Sequence, residues 1–187
     1  MATPTPHTAE APPRTFPRPE TALARVIGDP THRESFHKRL KSMNRYVLAM
    51  YRIGLLPLLG AGKSTMILTT KGRNSGKKRS FPVGYFRIGG IIHLLSGWGK
   101  DANWYKNLNA NPDDVSLQVG FHRFPVRAVV LDDPAEVTRT IELLVNESPS
   151  DAHRLIGWDP EHDRIQSADF DPIVKHVVFV KFVPREG

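Results

Sequence analysis

The chain lacks cysteine altogether over its 187 residues. Disulfide bonds and thiolate catalysis are therefore excluded, and the absence fits a reducing cytoplasm. No apolar run reaches the roughly 18 residues that a membrane-spanning helix requires. The Pro-, Thr- and Ala-rich start also lacks the apolar core of a secretory signal peptide. We therefore expect a soluble cytoplasmic protein, with association to a membrane surface as the open alternative.

Several catalytic signatures are missing as well. The eight histidines form no His-x-x-x-His pair on a helix, so we expect no bound metal. There is no Gly-x-Ser-x-Gly elbow, no P-loop and no Gly-x-Gly-x-x-Gly turn, so hydrolase and common nucleotide-binding folds have no positive signal. The basic residues gather at turns and no RNA-binding aromatic motif occurs, so nucleic acid is not an expected partner.

The chain does carry an excess of positive charge. A formal net charge of +7 and a pI near 9.9 favour an anionic partner, such as an acidic membrane surface or a polyanionic small molecule. The length suits one domain. Residues 1–19 are rich in proline and poor in large apolar side chains, so we expect a disordered arm there. Residues 20–187 are predicted to form the single domain.

An amphipathic helix is predicted near the start of this domain. Thr31 and Glu34 form a capping box, and apolar side chains then recur at spacings of three and four as far as Leu59. Such a helix usually packs its apolar face on a core. Its more apolar end, Ile53 to Leu59, also fits a membrane-surface or substrate-lid role.

The central stretch reads as a strand, a basic turn and a second strand. Met66 to Thr70 favour a pleated, half-buried strand, and Gly72 and Gly76 bracket a turn. Lys and Arg fill five of the nine positions from 71 to 79. Backbone N–H groups and these cations suit a multiply charged anion, although a hairpin tip exposed to water would have the same composition. Pro82 suggests an edge strand.

The other segments complete a mainly β pattern. Short strands are predicted at Ile91–Ser96, Val115–Val119, Phe124–Leu131 and Ile173–Val183, with helices at 102–109 and 134–145, and an irregular segment from Ser148 to Phe170. These elements indicate an α+β protein that is mainly β, a small antiparallel barrel of about six strands with flanking helices.

Two segments after the basic turn offer further ligand groups. Residues 96–100 form a Gly-rich loop with Trp98 and Lys100. On the following helix, Asn103 and Asn107 lie one turn apart on the same face, so both can reach one ligand. Trp104 fits core packing and ligand contact equally well.

The ordered succession of residues 68–76, Arg79, residues 82–85, 96–97 and 103–112 resembles the deazaflavin-dependent nitroreductase family of actinobacteria. The similarity spans roughly residues 65–131. It implies a split β-barrel like those of flavin reductases and pyridoxamine-phosphate oxidases, and coenzyme F420 as the cofactor. Members of that family reduce quinones, nitro compounds and other activated double bonds, often near a membrane.

The resemblance also implies roles for individual residues. The phosphate and acidic tail would meet the basic turn, the deazaflavin ring would lie along residues 82–84, and residues 95–97 would face its reactive edge. Ser96, Tyr85 or solvent would supply a proton to the acceptor after hydride transfer, with His153 as an outside candidate. The implied cofactor-binding residues are Arg73, Asn74, Ser75, Lys78, Arg79, Pro82, Val83, Gly84, Leu95, Ser96, Gly97, Asn103, Trp104 and Asn107.

Other functions remain open at this point. The same barrel can bind F420 or FMN without catalysis. Alternatively, the basic segments can serve as a surface that binds acidic lipids or nucleic acid, in which case moderate salt abolishes binding. A small-molecule electron acceptor is the expected partner, and a homodimer is left open.

Overall fold

Antiparallel strands form the main sheet of the protein. The computed structural model describes residues 13–28, 44–60 and 63–185. The strands are β1 (Arg14–Thr15), β2 (Thr65–Lys71), β3 (Lys78–Gly84), β4 (Phe86–Ile88), β5 (Ile91–Ser96), β6 (Val115–Val119), β7 (His122–Leu131), β8 (Ala168–Asp169) and β9 (Val178–Pro184). The main sheet has seven strands in the order β3-β2-β6-β7-β9-β5-β4, and a separate two-stranded sheet pairs β1 with β8 in parallel.

The two edges of the main sheet are neighbours in the sequence. The edge strands β3 and β4 are separated only by Tyr85. Because consecutive Cα atoms are about 3.8 Å apart, the end of one edge must lie close to the start of the other, and the sheet curls into a split barrel. The predicted class, mainly β with flanking helices, is confirmed, with seven strands in the sheet rather than about six.

The central hairpin is the predicted strand, turn and strand. Its register runs from Thr65 opposite Gly84 to Lys71 opposite Lys78. The turn is closed by backbone bonds in which Gly72 N–H donates to the Lys77 carbonyl (2.9 Å) and Gly76 N–H donates to the Gly72 carbonyl (2.8 Å). A Cβ at position 72 would lie 2.8 Å from Ser75 Oγ. Glycine is therefore needed there for close approach.

Helices cover the outside of the barrel. Residues 44–52 are helical, and within residues 13–28, 44–60 and 63–185 no helix combines the length and apolarity needed to cross a bilayer. One apolar core fills the barrel, and a second lies between the helices and the outer sheet face. The named helices are α1 (Ala22–Gly28), α2 (Leu55–Leu58), α3 (Asn103–Ala110), α4 (Pro134–Glu147), α5 (Pro149–Ile156) and α6 (Asp171–His176).

Several predicted boundaries differ from the structure. The segment predicted to be irregular contains α5, which begins at Pro149 and buries Ala152 and Ile156 one turn apart. The last predicted strand begins at Val178, because residues 171–176 form α6. The predicted N-terminal helix is interrupted by a turn at Ile53 and Gly54, and its proposed capping box lies outside the described residues.

The first described residues do not behave as a disordered arm. Residues 1–12 lie outside the described residues, but residues 13–28, which we call the N-terminal strap, pack on the domain. Phe16 is fully buried between Trp158 and Phe170, with ring centroids 5.4 and 5.6 Å away. The composition of this segment did not predict its packing, because one buried aromatic ring is enough to anchor a short segment.

A buried carboxylate also holds the N-terminal strap. Asp163 is 3% exposed and accepts hydrogen bonds from Arg14 Nη1 (2.7 Å), from Arg18 Nη2 (2.8 Å to each oxygen) and from the Asp159 N–H (2.8 Å). Burial acts to raise the pKa of Asp163, but the Asp159 N–H and the two guanidinium groups outweigh it and hold the pKa below its ordinary value. Asp163 is therefore ionised and paired at neutral pH.

Replacing Asp163 with asparagine should lower the free energy of unfolding by roughly 3 kcal/mol, because two guanidinium groups lose a buried partner. The folded-state pKa lies below the unfolded value of 3.8. The carboxylate therefore stabilises the fold fully above that value and loses its contribution as the pH falls through the folded-state pKa. Denaturant unfolding from pH 2 to 7 measures both effects.

The matched control is Asp171→Asn, since Asp171 pairs with Lys175 at the surface, where water screens the pair and its contribution to stability is small. Equal losses in the two variants would contradict the anchoring role of Asp163.

Candidate active site

A cleft of about 420 Å³ opens between the turn of the β2–β3 hairpin and the start of α3. The turn supplies backbone and side chains from residues 72–75, β3 supplies two side chains, and α3 supplies two asparagines. The hairpin places the turn at the end of β2 and β3 farthest from Tyr85, and α3 packs against β2 there. The lining residues are Gly72, Arg73, Asn74, Ser75, Arg79, Phe81, Asn103 and Asn107.

The cations of this cleft are available to a ligand. Among the described residues, no carboxylate pairs with Arg73 or Arg79, whereas Lys71 pairs with Asp114 at 3.1 Å. Arg73, Asn74, Ser75 and Arg79 are all exposed. Two guanidinium groups beside an exposed hydroxyl and amide form a donor set that suits phosphate or carboxylate oxygens.

Asn107 fixes the position of Arg73. Its Oδ1 accepts hydrogen bonds from the Arg73 N–H (3.2 Å) and from Arg73 Nη1 (3.3 Å), and the residue is only 7% exposed. The amide side chain therefore ties the turn to α3. It leaves most of the guanidinium donors of Arg73 free.

A buried hydroxyl near this end of the hairpin has no partner. Thr70 is fully buried, and its Oγ1 is the one buried side-chain polar atom without a hydrogen-bond partner among the described residues. Thr70 lies directly opposite Arg79 in the β2–β3 register. Because directly opposed residues share one face of a sheet, the unpaired hydroxyl and Arg79 lie on the same side of the hairpin.

Some predicted residues on β3 lie outside the cleft. Lys78 is exposed and, as the neighbour of Arg79 along the strand, projects to the opposite face. Val83 packs against the barrel core. Pro82 lies opposite Ile67 and is half-buried, and Gly84 is exposed at the far end of the strand.

The residues predicted at the reactive edge do not line this cleft either. Leu95 and Ser96 end strand β5, where they pair with β9. Ser96 is 2% exposed, and its hydroxyl donates to the Gly99 carbonyl at 3.0 Å. Gly97 lies beneath side chains of α1.

The two remaining aromatic predictions are largely buried. Trp104 packs against the barrel core, and its ring meets Tyr105 edge-on with centroids 6.4 Å apart, which is the core-packing interpretation of this residue. Tyr85 is 5% exposed, and the Arg87 guanidinium lies 5.7 Å from its ring centroid. The structure thus gathers Arg73, Asn74, Ser75, Arg79, Asn103 and Asn107 in one cleft.

Sequence reasoning missed one ring of the cleft, Phe81. It lies two residues beyond Arg79, so strand alternation places both side chains on one face. That spacing is visible in the sequence and identifies Phe81 once Arg79 is chosen.

The sequence of this chain also matches a known protein family. Residues 45–159 match the family of F420H(2)-dependent quinone reductases. The chain belongs to this family. The resemblance to deazaflavin-dependent reductases is therefore confirmed, and the family is one of oxidoreductases.

Individual relatives agree with this assignment. The Mycobacterium tuberculosis (strain ATCC 25618 / H37Rv) protein named "Putative F420H(2)-dependent quinone reductase Rv3178" is 40% identical over 79 residues, which span 38% of this chain and 66% of that protein. The chain thus matches slightly less than two thirds of that relative.

Two solved structures overlap with larger parts of the chain. One, titled "Structure of F420-H2 Dependent Reductase (FDR-A)", is 28% identical, with 63% of this chain and 93% of the other covered and a TM-score of 0.41. The other, a "Putative Pyridoxamine 5'-phosphate oxidase" from Listeria innocua, is 16% identical, with 69% and 91% covered and a TM-score of 0.42.

Asn107→Ala should lower the free energy of unfolding by about 1–2 kcal/mol, because the Arg73 N–H loses its acceptor. The control is Asn109→Ala, which makes the same change at an exposed position of the same helix, so the gain in helix propensity cancels. Denaturant unfolding gives the difference. If both variants unfold alike, Asn107 does not tie the turn to α3.

Proposed function

We propose that this protein is an oxidoreductase that reduces an electron-poor acceptor with reduced coenzyme F420. Quinones are the first choice of acceptor, ahead of nitro compounds and other activated double bonds. The observation that carries the proposal is the cleft in which Arg73 and Arg79 have no carboxylate partner within residues 13–28, 44–60 and 63–185, in a member of the F420H(2)-dependent quinone reductase family.

The donor set of the cleft fits this cofactor. F420 carries a phosphate and several carboxylates, and Arg73, Arg79 and Ser75 offer charge-assisted and neutral donors at one place. We assign the acidic end of the cofactor to these residues.

The planar part of the cofactor requires an apolar support. Arg79, Phe81 and Val83 alternate along β3 and therefore share one face. Phe81 lines the cleft, and Val83 continues toward the barrel core. We propose that this face holds the ring, which supplies the hydride when the reduced cofactor is bound, while the protein contributes position and electrostatics.

Proton delivery to the reduced acceptor completes the proposed reaction. The Ser96 hydroxyl is buried and already donates to the Gly99 carbonyl, and Tyr85 is almost fully buried. These contacts favour solvent as the proton source, with Tyr85 as the side-chain alternative.

An exposed apolar patch supports a lipid-soluble acceptor. We define the apolar patch as Tyr46, Ile53, Leu58, Leu59 and Phe121, which are 67–76% exposed. Phe121 joins the others because its Cε1 would lie 3.1 Å from a Cβ at Gly54. Exposed large apolar side chains, four of them within residues 46–59, indicate a contact with another apolar phase or molecule.

The charge around the apolar patch favours an anionic membrane surface. The sequence from residue 35 to residue 65, which carries most of the patch, contains six lysines and arginines and no acidic residue. Cations beside exposed apolar side chains suit acidic lipid headgroups. We propose peripheral membrane contact through this patch, while self-association stays a prediction.

The position of the patch relative to the cleft also suits this function. The helical segment that carries most of the patch contacts the start of β2 through Tyr51, whose hydroxyl reaches the Thr65 carbonyl at 3.3 Å. The cleft lies at the other end of β2, roughly 20 Å away for seven strand residues. In this arrangement the acidic tail of the cofactor and the lipid surface lie at opposite ends of β2.

Titration of the purified protein with F420 and with FMN tests the proposal. We expect F420 fluorescence to change on binding, a weaker response with FMN, and reoxidation of reduced F420 when menadione is added. Binding without turnover would support a carrier, and absence of F420 binding would refute the proposed function.

Arg79→Ala should weaken F420 binding by more than about tenfold, or ~1.4 kcal/mol, because a charge-assisted contact is lost. Lys78→Ala is the matched control, since it removes a cation from the adjacent position on the opposite face and should change affinity by about two- to threefold. Fluorescence titration measures both. Equal losses would remove Arg79 from the site.

Replacing Leu58 and Leu59 together with serine should reduce binding to vesicles of phosphatidylglycerol and phosphatidylcholine by about tenfold. The control is Ile91→Ser with Leu143→Ser, two exposed apolar side chains outside the patch. Cosedimentation measures the bound fraction. The membrane proposal fails if the unaltered protein does not bind these vesicles, or if the two double variants bind them equally well.

A further inference from the structure

We infer that the N-terminal strap is a positioning element for the loop of residues 96–101, which it holds through Leu23 and Val26. The consequence for catalysis rests on the proposed function together with the family resemblance, which implies that residues 95–97 face the reactive edge of the ring. The positioning itself does not depend on that function. The strap lies outside the segment 45–159 matched by the family, whereas the loop that it contacts lies inside that segment.

The contact between α1 and the loop leaves no room for a side chain. A Cβ at Gly97 would lie 2.9 Å from Leu23 Cδ1 and 3.4 Å from Val26 Cγ1. Leu23 is itself 6% exposed and belongs to the core between the helices and the sheet. The backbone of Gly97 is therefore pressed directly against α1.

The same loop is held from other directions too. A Cβ at Gly99 would lie 2.9 Å from the carbonyl oxygen of His176. Within the loop, Ser96 Oγ donates to the Gly99 carbonyl (3.0 Å) and the Asp101 N–H donates to the Trp98 carbonyl (3.2 Å). α1 thus covers the loop at Gly97, while α6 contacts it at Gly99 and internal hydrogen bonds hold its backbone. Displacement of α1 would therefore expose the loop at Gly97 and leave the other contacts in place.

The strap is anchored well enough to act in this way. Arg14 and Arg18 pair with the buried Asp163, and Phe16 is fully buried. The Arg18 N–H donates to the Ile156 carbonyl at 3.0 Å, and Thr21 Oγ1 accepts from the Ala24 N–H at 3.2 Å at the start of α1. These contacts fix the strap continuously from the ion pairs at Asp163 to the point where Leu23 packs against Gly97.

Hydrogen exchange on the double variant Arg14→Ala, Arg18→Ala tests the inference without a cofactor. We expect amide exchange in residues 96–101 to rise by about tenfold, because local opening of α1 uncovers the loop, while exchange in the β2–β3 turn stays unchanged. Arg25→Ala is the control, since Arg25 lies on the same strap but its side chain donates to the exposed Glu20 carbonyl and, among the described residues, pairs with no carboxylate. Faster exchange in residues 13–28 with no change in residues 96–101 would overturn the inference.

A complementary pair of variants tests the Gly97 contact itself. Gly97→Ala places a methyl group against Leu23, and we expect kcat/KM for menadione to fall about fivefold. Adding Leu23→Ala to that variant removes the opposing group and should restore most of the loss. A general loss of stability would be worsened by the second substitution, so further decline would overturn the inference.

The two proposals can fail separately. If the unaltered protein neither binds F420 nor reduces menadione, the proposed function fails while the exchange experiment still decides whether the strap holds the loop. If F420 turnover is normal and the exchange of residues 96–101 is independent of the strap, only the positioning inference fails.

Discussion

Tyr85 alone separates the two edge strands of the main sheet, and the rest of the structure depends on this covalent constraint. The sheet has to curl until its edges meet, which creates the apolar interior and an outer face for the helices. It also sends the β2–β3 turn to the opposite end of the hairpin, where α3 reaches it. The cleft is a consequence of that placement.

Charge is distributed unevenly over this frame. Away from the cleft, cations such as Lys181, Arg154 and Lys175 meet carboxylates of Glu136, Asp151 and Asp171. At the cleft, Arg73 and Arg79 lie in an acid-free run of the sequence and have no such partner in the described part of the chain. Unpaired guanidinium groups around a preformed cavity favour an anionic ligand over a structural ion-pair network.

The cleft was largely predictable because its signals are local. Five cations around two glycines identify the turn, and Asn103 and Asn107 share a helix face by their spacing. Phe81 follows from strand alternation as well. The environments of Gly97 and Trp104 were not predictable in this way, because Gly97 packs against Leu23 and Trp104 against the barrel core. These contacts join segments that are distant in the sequence, so no local pattern indicates them.

By itself, the sequence determined most of the strands and the basic turn, and it predicted an anion-binding site there, since these depend on period, glycine placement and composition. Only the tertiary structure decided that Phe16 and Asp163 anchor the N-terminal strap, that α1 packs on Gly97, and that Asn107 accepts hydrogen bonds from Arg73. Each of those contacts joins residues far apart in the chain, and their energy comes from burial and geometry that exist only after the barrel has closed.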